Sequence, residues 1–294
     1  MEKFQYFVIA TYVAVQIIAL MVGYLLWAAG FNLTEIVEHT TGVAEHSLPL
    51  ALFGLVIAVT VLLLLFIKYG LSDLLYYFTD YILLFVVIFF ISQIILEPYQ
   101  DSYEWSTYLP AVLSGIAVAL RYSLKQFQLV AAILFAVGIA AILGSSLRIQ
   151  YVIVFFLMLA VYDILAVRLI KHVPEIAKDV HEKGSCLMFT LETEEESSGV
   201  GITDIFLPSV LVLSVFLHYF PEPNLDMSLF QIVQVLRFSI LGAILCSFLA
   251  LIGILMATRQ REVHALPYAA LGILGFVIVE IIRFLMGYPV FVFS

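Results

Sequence analysis

The chain has 294 residues, of which 64% are hydrophobic and only 12% charged, and its mean hydropathy is +1.12. Soluble domains carry about 45–50% apolar and about 25% charged residues, so no single aqueous core can hide this much apolar surface. The net charge of −9 argues against a nucleic-acid partner, because no basic patch exists to neutralise phosphates.

The first apolar run, about 4–29, follows the single Lys3. It is too long for the core of a cleaved signal peptide and lacks a small-residue cleavage site, so it reads as a retained helix. Further runs fall at about 48–67, 74–96, 106–120, 127–143, 149–167, 199–220, 228–257 and 264–286. A helix needs ~20 apolar residues to cross ~30 Å of hydrocarbon. The pattern predicts an all-α polytopic membrane protein of nine transmembrane helices. Its parts are an amino-terminal bundle of six helices (1–167), a loop (168–198) and a carboxy-terminal bundle of three helices (199–294).

Basic residues accumulate in short cytoplasmic loops. With the amino terminus in the cytoplasm, that side holds Lys3, Lys68, Arg121, Lys125, Arg168, Lys171, Lys178, Lys183, Arg259 and Arg261, and the opposite loops hold only Arg148. The carboxy terminus is then extracytoplasmic. The 168–198 loop opens basic and closes with Glu192, Glu194, Glu195 and Glu196. Within it, Cys186 to Leu191 is β-prone, either as part of a solvated linker or as a strand awaiting a partner. Cys186 and Cys246 have no metal-like spacing, so no disulfide framework, metal or other cofactor is expected.

Three of the 22 carboxylates lie well inside apolar runs: Asp163, Asp204 and Glu280. An ionisable group in the bilayer costs several kcal/mol and is a functional candidate by default. Glu280 has Arg283 three positions later on the same helical face, which predicts a structural ion pair. Asp163 precedes Arg168 at the cytoplasmic end of the sixth helix, and Asp204 lies five residues into a seventh helix starting near Gly199. At ~1.5 Å per residue both acids reach roughly 7–8 Å below the cytoplasmic edge. Consecutive antiparallel helices therefore can bring them together. Two carboxylates ~3 Å apart in a dry place cannot both ionise and share a proton. One member can then deprotonate a water while the other protonates a carbonyl oxygen and the leaving amine. Two separately hydrogen-bonded acids, or a cation site, satisfy the same depth arithmetic. The ninth helix starts at the same level with His264-Ala265-Leu266-Pro267-Tyr268, where the proline frees backbone groups.

These three segments together resemble the presenilin and signal peptide peptidase family, the GxGD-type intramembrane aspartyl proteases. Tyr162-Asp163 matches the family's Tyr-Asp in the sixth helix. Gly201-Ile202-Thr203-Asp204 is similar to its Gly-x-Gly-Asp in the seventh, with Thr203 in place of the second glycine. Ala265-Leu266-Pro267 resembles its Pro-Ala-Leu element, with His264 where the family's first proline stands. The resemblance spans all nine predicted helices. It implies Asp163 and Asp204 as catalytic acids, and Tyr162, Gly201, Ala265, Leu266 and Pro267 at the substrate-binding edge, without metal. It also implies transmembrane-helix proteins as substrates and the bilayer as surroundings. A cytoplasmic amino terminus and a short 168–198 loop are most similar to a compact microbial presenilin homologue in the cell membrane, either alone or as a homo-oligomer.

Other chemistries fit less well. A zinc protease needs His-Glu-x-x-His on a helix, and His181-Glu182-Lys183-Gly184-Ser185 fails at the last position and sits in a loop. A proton- or cation-coupled transporter or leak channel also uses paired acids in broken helices, but no second Tyr-Asp-like or Gly-x-x-Asp-like element occurs in the first five runs.

Overall fold

A backbone wrapped in apolar side chains satisfies its N–H and C=O groups most simply within one helix, and the apolar runs do this. The computed structural model describes residues 2–28, 47–100, 108–124, 127–166, 176, 179–180, 185, 187–192, 197–218, 229–259 and 265–288. The first helices are α1 (Glu2–Ala28), α2 (Leu48–Lys68) and α3 (Ser72–Tyr77), the last continuing through a π-helical turn (Phe78–Leu83) into α4 (Leu84–Gln100). Then come α5 (Leu109–Ser123), α6 (Phe127–Ser146) and α7 (Ile149–Leu165). A hairpin of β1 (Met188–Glu192) and β2 (Ser197–Gly201) leads into α8 (Ile202–His218) and α9 (Leu229–Arg259). The single turn α10 (Leu266–Ala269) and α11 (Gly272–Leu285) close the described chain.

Five helices among the described residues are long and apolar enough to cross a bilayer, and four shorter apolar helices accompany them. Only Pro49 of α2 is buried, while Leu50, Leu55, Val59, Val61, Leu62 and Leu65 are exposed. Such an exterior is stable against lipid, not water. The chain is an integral membrane protein of helical build.

The centre of the fold is α8, which packs on α6, α9, α1 and α7. Every side chain from Leu207 to Val215 is buried. Two glycines make room for Leu213 of this helix. A Cβ on Gly23 of α1 would stand 2.0 Å from Leu213 Cδ1, and one on Gly144 of α6 would stand 3.1 Å from Leu213 Cβ. Small residues of this kind let helix backbones close on one another in membranes.

The fourth predicted helix is described from Leu109, with Pro110 in its first turn, where proline is accepted, and residues 101–107 lie outside the described residues. Two boundaries differ from the sequence expectation. The seventh begins at Ile202 and not near 199. Ser197–Gly201 instead pairs antiparallel with Met188–Glu192, and the Ile202 N–H donates to the Leu187 carbonyl at 3.0 Å. Asp204 consequently lies in the first turn of its helix. The ninth is broken into α10 and α11 by a turn at residues 270–271. The Glu280–Arg283 pair forms at 3.2 Å with both side chains buried, and Arg283 also stacks over Phe238 of α9. His264, Cys186, Lys183 and the acidic residues 194–196 lie outside the described residues.

Candidate active site

Asp163 occupies the last turn of α7, and Asp204 the first turn of α8. The two helices pack together, and α10 packs against both. This places the three segments singled out in the sequence side by side. Asp163 is near enough to Asp204 for their charges to interact, and the Asp204 carboxylate accepts hydrogen bonds from the backbone N–H groups of Gly201 and Leu266.

Each of those donors has a local reason. Leu266 is the first residue of α10, and the first N–H groups of a helix have no acceptor within it. Pro267 follows with no N–H of its own, so Leu266 supplies the donor. Ala265 and Leu266 are buried and Pro267 is half-buried. Gly201 ends β2 directly before α8, and a Cβ there would stand 3.2 Å from Asp204 Oδ2. Glycine lets the carboxylate settle against the backbone. Thr203, the second residue of α8, is exposed. Pro208 has no N–H to donate to the Asp204 carbonyl four residues before it, so that carbonyl lacks its usual helical donor.

The turn α10 is held at this height by α9. A Cβ on Gly253 would stand 2.0 Å from the Tyr268 carbonyl oxygen, so the α10 backbone rests directly on that glycine. Tyr162, beside Asp163, turns its ring edge-on to Phe53 of α2, with centroids 6.1 Å apart and planes at 88°. It therefore braces α7 against α2.

One buried acid escaped the sequence reading. Asp80 sits in the π-helical turn, is 4% exposed, and pairs with Arg121 of α5 at 2.9 Å. By sequence Arg121 reads only as a cytoplasmic loop charge. The available signal was an acid several residues inside the third apolar run, opposite a base closing the fourth.

Fold and site define an integral membrane protein in which two aspartates from adjacent helices lie within charge–charge range beside a proline-led turn. Two solved structures, each described as a presenilin-family intramembrane aspartate protease, share this fold. One, in space group C222, superposes with a TM-score of 0.59 at 19% identity, covering 92% of this chain and 94% of that one. The other, in space group P2, gives 0.60 at 20% identity and covers 93% and 96%. The presenilin-like fold expected from the motifs is therefore present over nearly the whole chain. No protein-family model and no curated protein matches the sequence.

Proposed function

We propose that this protein is an intramembrane aspartyl protease that hydrolyses peptide bonds in transmembrane segments of other membrane proteins. One observation carries the reading: Asp163 and Asp204, 41 positions apart in sequence, come within charge–charge range at a site where two backbone N–H groups hold Asp204. In the mechanism, the two acids share one proton. The ionised member deprotonates a water, which attacks the scissile carbonyl carbon, and the protonated member donates to the carbonyl oxygen. Collapse of the resulting gem-diol transfers a proton to the amine and breaks the C–N bond. Neither a metal nor a covalent intermediate takes part.

A helical amide shields its carbonyl, so the substrate must unwind before this attack. An unwound segment gains backbone hydrogen bonds by strand addition, and β2 with the Ala265–Pro267 turn provides backbone beside the acids. Thr203, exposed next to Asp204, contributes to the wall that the segment meets. The amino terminus is cytoplasmic in this reading, and the site opens toward the cytoplasmic leaflet.

The test uses the purified full chain in proteoliposomes with a fluorogenic transmembrane peptide. Asp163→Ala and Asp204→Ala should each abolish cleavage, and an aspartyl transition-state analogue should inhibit the parent. Chelator-sensitive cleavage that survives both substitutions overturns the assignment. Ion flux without any cleavage would transfer the paired acids to a transporter or leak channel.

A further inference from the structure

A buried carboxylate among membrane helices is costly unless both oxygens are satisfied. Asp80 divides its oxygens between two parts of the chain. Oδ2 accepts from Arg121 of α5 at 2.9 Å, and Oδ1 accepts from the Ser185 hydroxyl at 2.6 Å. The π-helical turn that carries Asp80 widens the helix locally, a geometry that recurs at functional sites.

Ser185 is 1% exposed although it belongs to the otherwise polar segment before β1. Its carbonyl accepts from Gln128 Nε2 of α6 at 3.2 Å, and its N–H donates to the Val180 carbonyl at 3.2 Å. The π turn, α5 and α6 thus form one socket for a single serine, α5 through Arg121 on the shared carboxylate.

From this socket, hydrogen bonds run to the site. The Leu187 N–H donates to Ser185 Oγ at 3.3 Å, and the Met188 N–H to the Ser185 carbonyl at 3.4 Å. Met188 pairs with Gly201, the Ile202 N–H bonds the Leu187 carbonyl, and the Gly201 N–H holds Asp204. Phe189 of β1 is buried and fixes the hairpin to the core. A pair serving stability alone is commonly replaceable by apolar side chains. That role gives no reason for half the carboxylate to be spent on a loop serine.

We propose that Asp80, Arg121 and Ser185 are positioning residues for proteolysis: their buried network sets the height of the β1–β2 hairpin, and so the register in which a substrate strand lies beside Asp204. The inference rests on the protease reading and concerns substrate binding and cleavage register, not bond breaking.

The experiment compares parent, Ser185→Ala, Ser185→Thr and Asp80→Asn as full chains in proteoliposomes. KM, kcat per site titrated with a transition-state analogue, and cleavage positions by mass spectrometry are the functional readouts. Removing a hydrogen bond to a charged group should raise KM at least about five-fold and redistribute the cleavage positions, with kcat per site nearly unchanged. Ser185→Thr, which keeps the hydroxyl, should retain the parent's KM and positions. Amide hydrogen exchange supplies a readout independent of activity: residues 188–192 should exchange faster in Ser185→Ala, while α8 stays protected. Unchanged hairpin exchange with unchanged KM, or a fall in kcat at constant KM, overturns the proposal. Should Asp80→Asn fail to fold, the two Ser185 variants decide alone. If the parent cuts no peptide, the protease reading falls and the register role with it. Faster exchange confined to the hairpin would then still support the anchoring.

Discussion

The two helices that bring the acids together are built differently. α8 is enclosed by protein from Leu207 to Val215, whereas α7 exposes Val154, Leu157, Val161 and Leu165 along one flank. The other flank of α7 contacts α2, α8 and α10. A helix surrounded by packed side chains has little freedom to shift, and one with an open flank has more. Asp204 is further held by two backbone donors. The site therefore combines a fixed half with a half whose placement depends on peripheral packing.

This contrast can be broken most directly at the acids. Asp204→Asn and Asp163→Asn should each lower kcat/KM by about 10³-fold or more, since each removes one of the two carboxyl groups that the shared-proton pair needs. The two losses should match despite the unequal packing. A variant keeping a tenth of parent activity would break the pairing. Gly253→Ala comes next, because its Cβ meets the Tyr268 carbonyl at 2.0 Å and the neighbour is backbone. Overpacking of this kind costs ~1–3 kcal/mol, and thermal unfolding in detergent should show that loss together with weaker binding of a transition-state analogue.

Smaller effects sharpen the distinction between the halves. Gly201→Ala places a methyl 3.2 Å from Asp204 Oδ2, so the carboxylate must yield by a few tenths of an ångström. A displacement of the reacting group by even ~1 Å can cost about 10²-fold, and this lesser shift should lower kcat severalfold while leaving the unfolding temperature nearly unchanged. Phe53→Ala removes the edge-to-face partner of Tyr162, an interaction of ~0.5–1.5 kcal/mol. Its effect should be the least, visible as a small drop in unfolding temperature, with any change in kcat below that of Gly201→Ala.

The acids of both halves were legible in the sequence. Depth arithmetic along two apolar runs brought Asp163 and Asp204 to one level, since a helix converts residue count into height. The same arithmetic marked Ala265–Pro267. What it missed depends on contacts distant in sequence. Asp80, Arg121 and Ser185 are separated by 41 and 64 positions, and no periodicity within one helix links them. Arg121 reads as a loop charge until α5 is laid against the π turn. The hairpin was half visible: Cys186 to Leu191 reads as β-prone, but Ser197-Ser198-Gly199 becomes a strand only through its partner. For that reason the start of α8 was placed too early.

Leu213 sits nine residues beyond Asp204, roughly 14 Å up the same helix at 1.5 Å per residue. Seated between Gly23 and Gly144, it acts as a registration pin. A slip of α8 by one turn would drive a leucine out of its double notch and leave a void behind. The elevation of the acid is thus set far from the chemistry, by a hydrocarbon side chain with no part in it. Enlarging either glycine should misalign the two carboxyl groups without touching them.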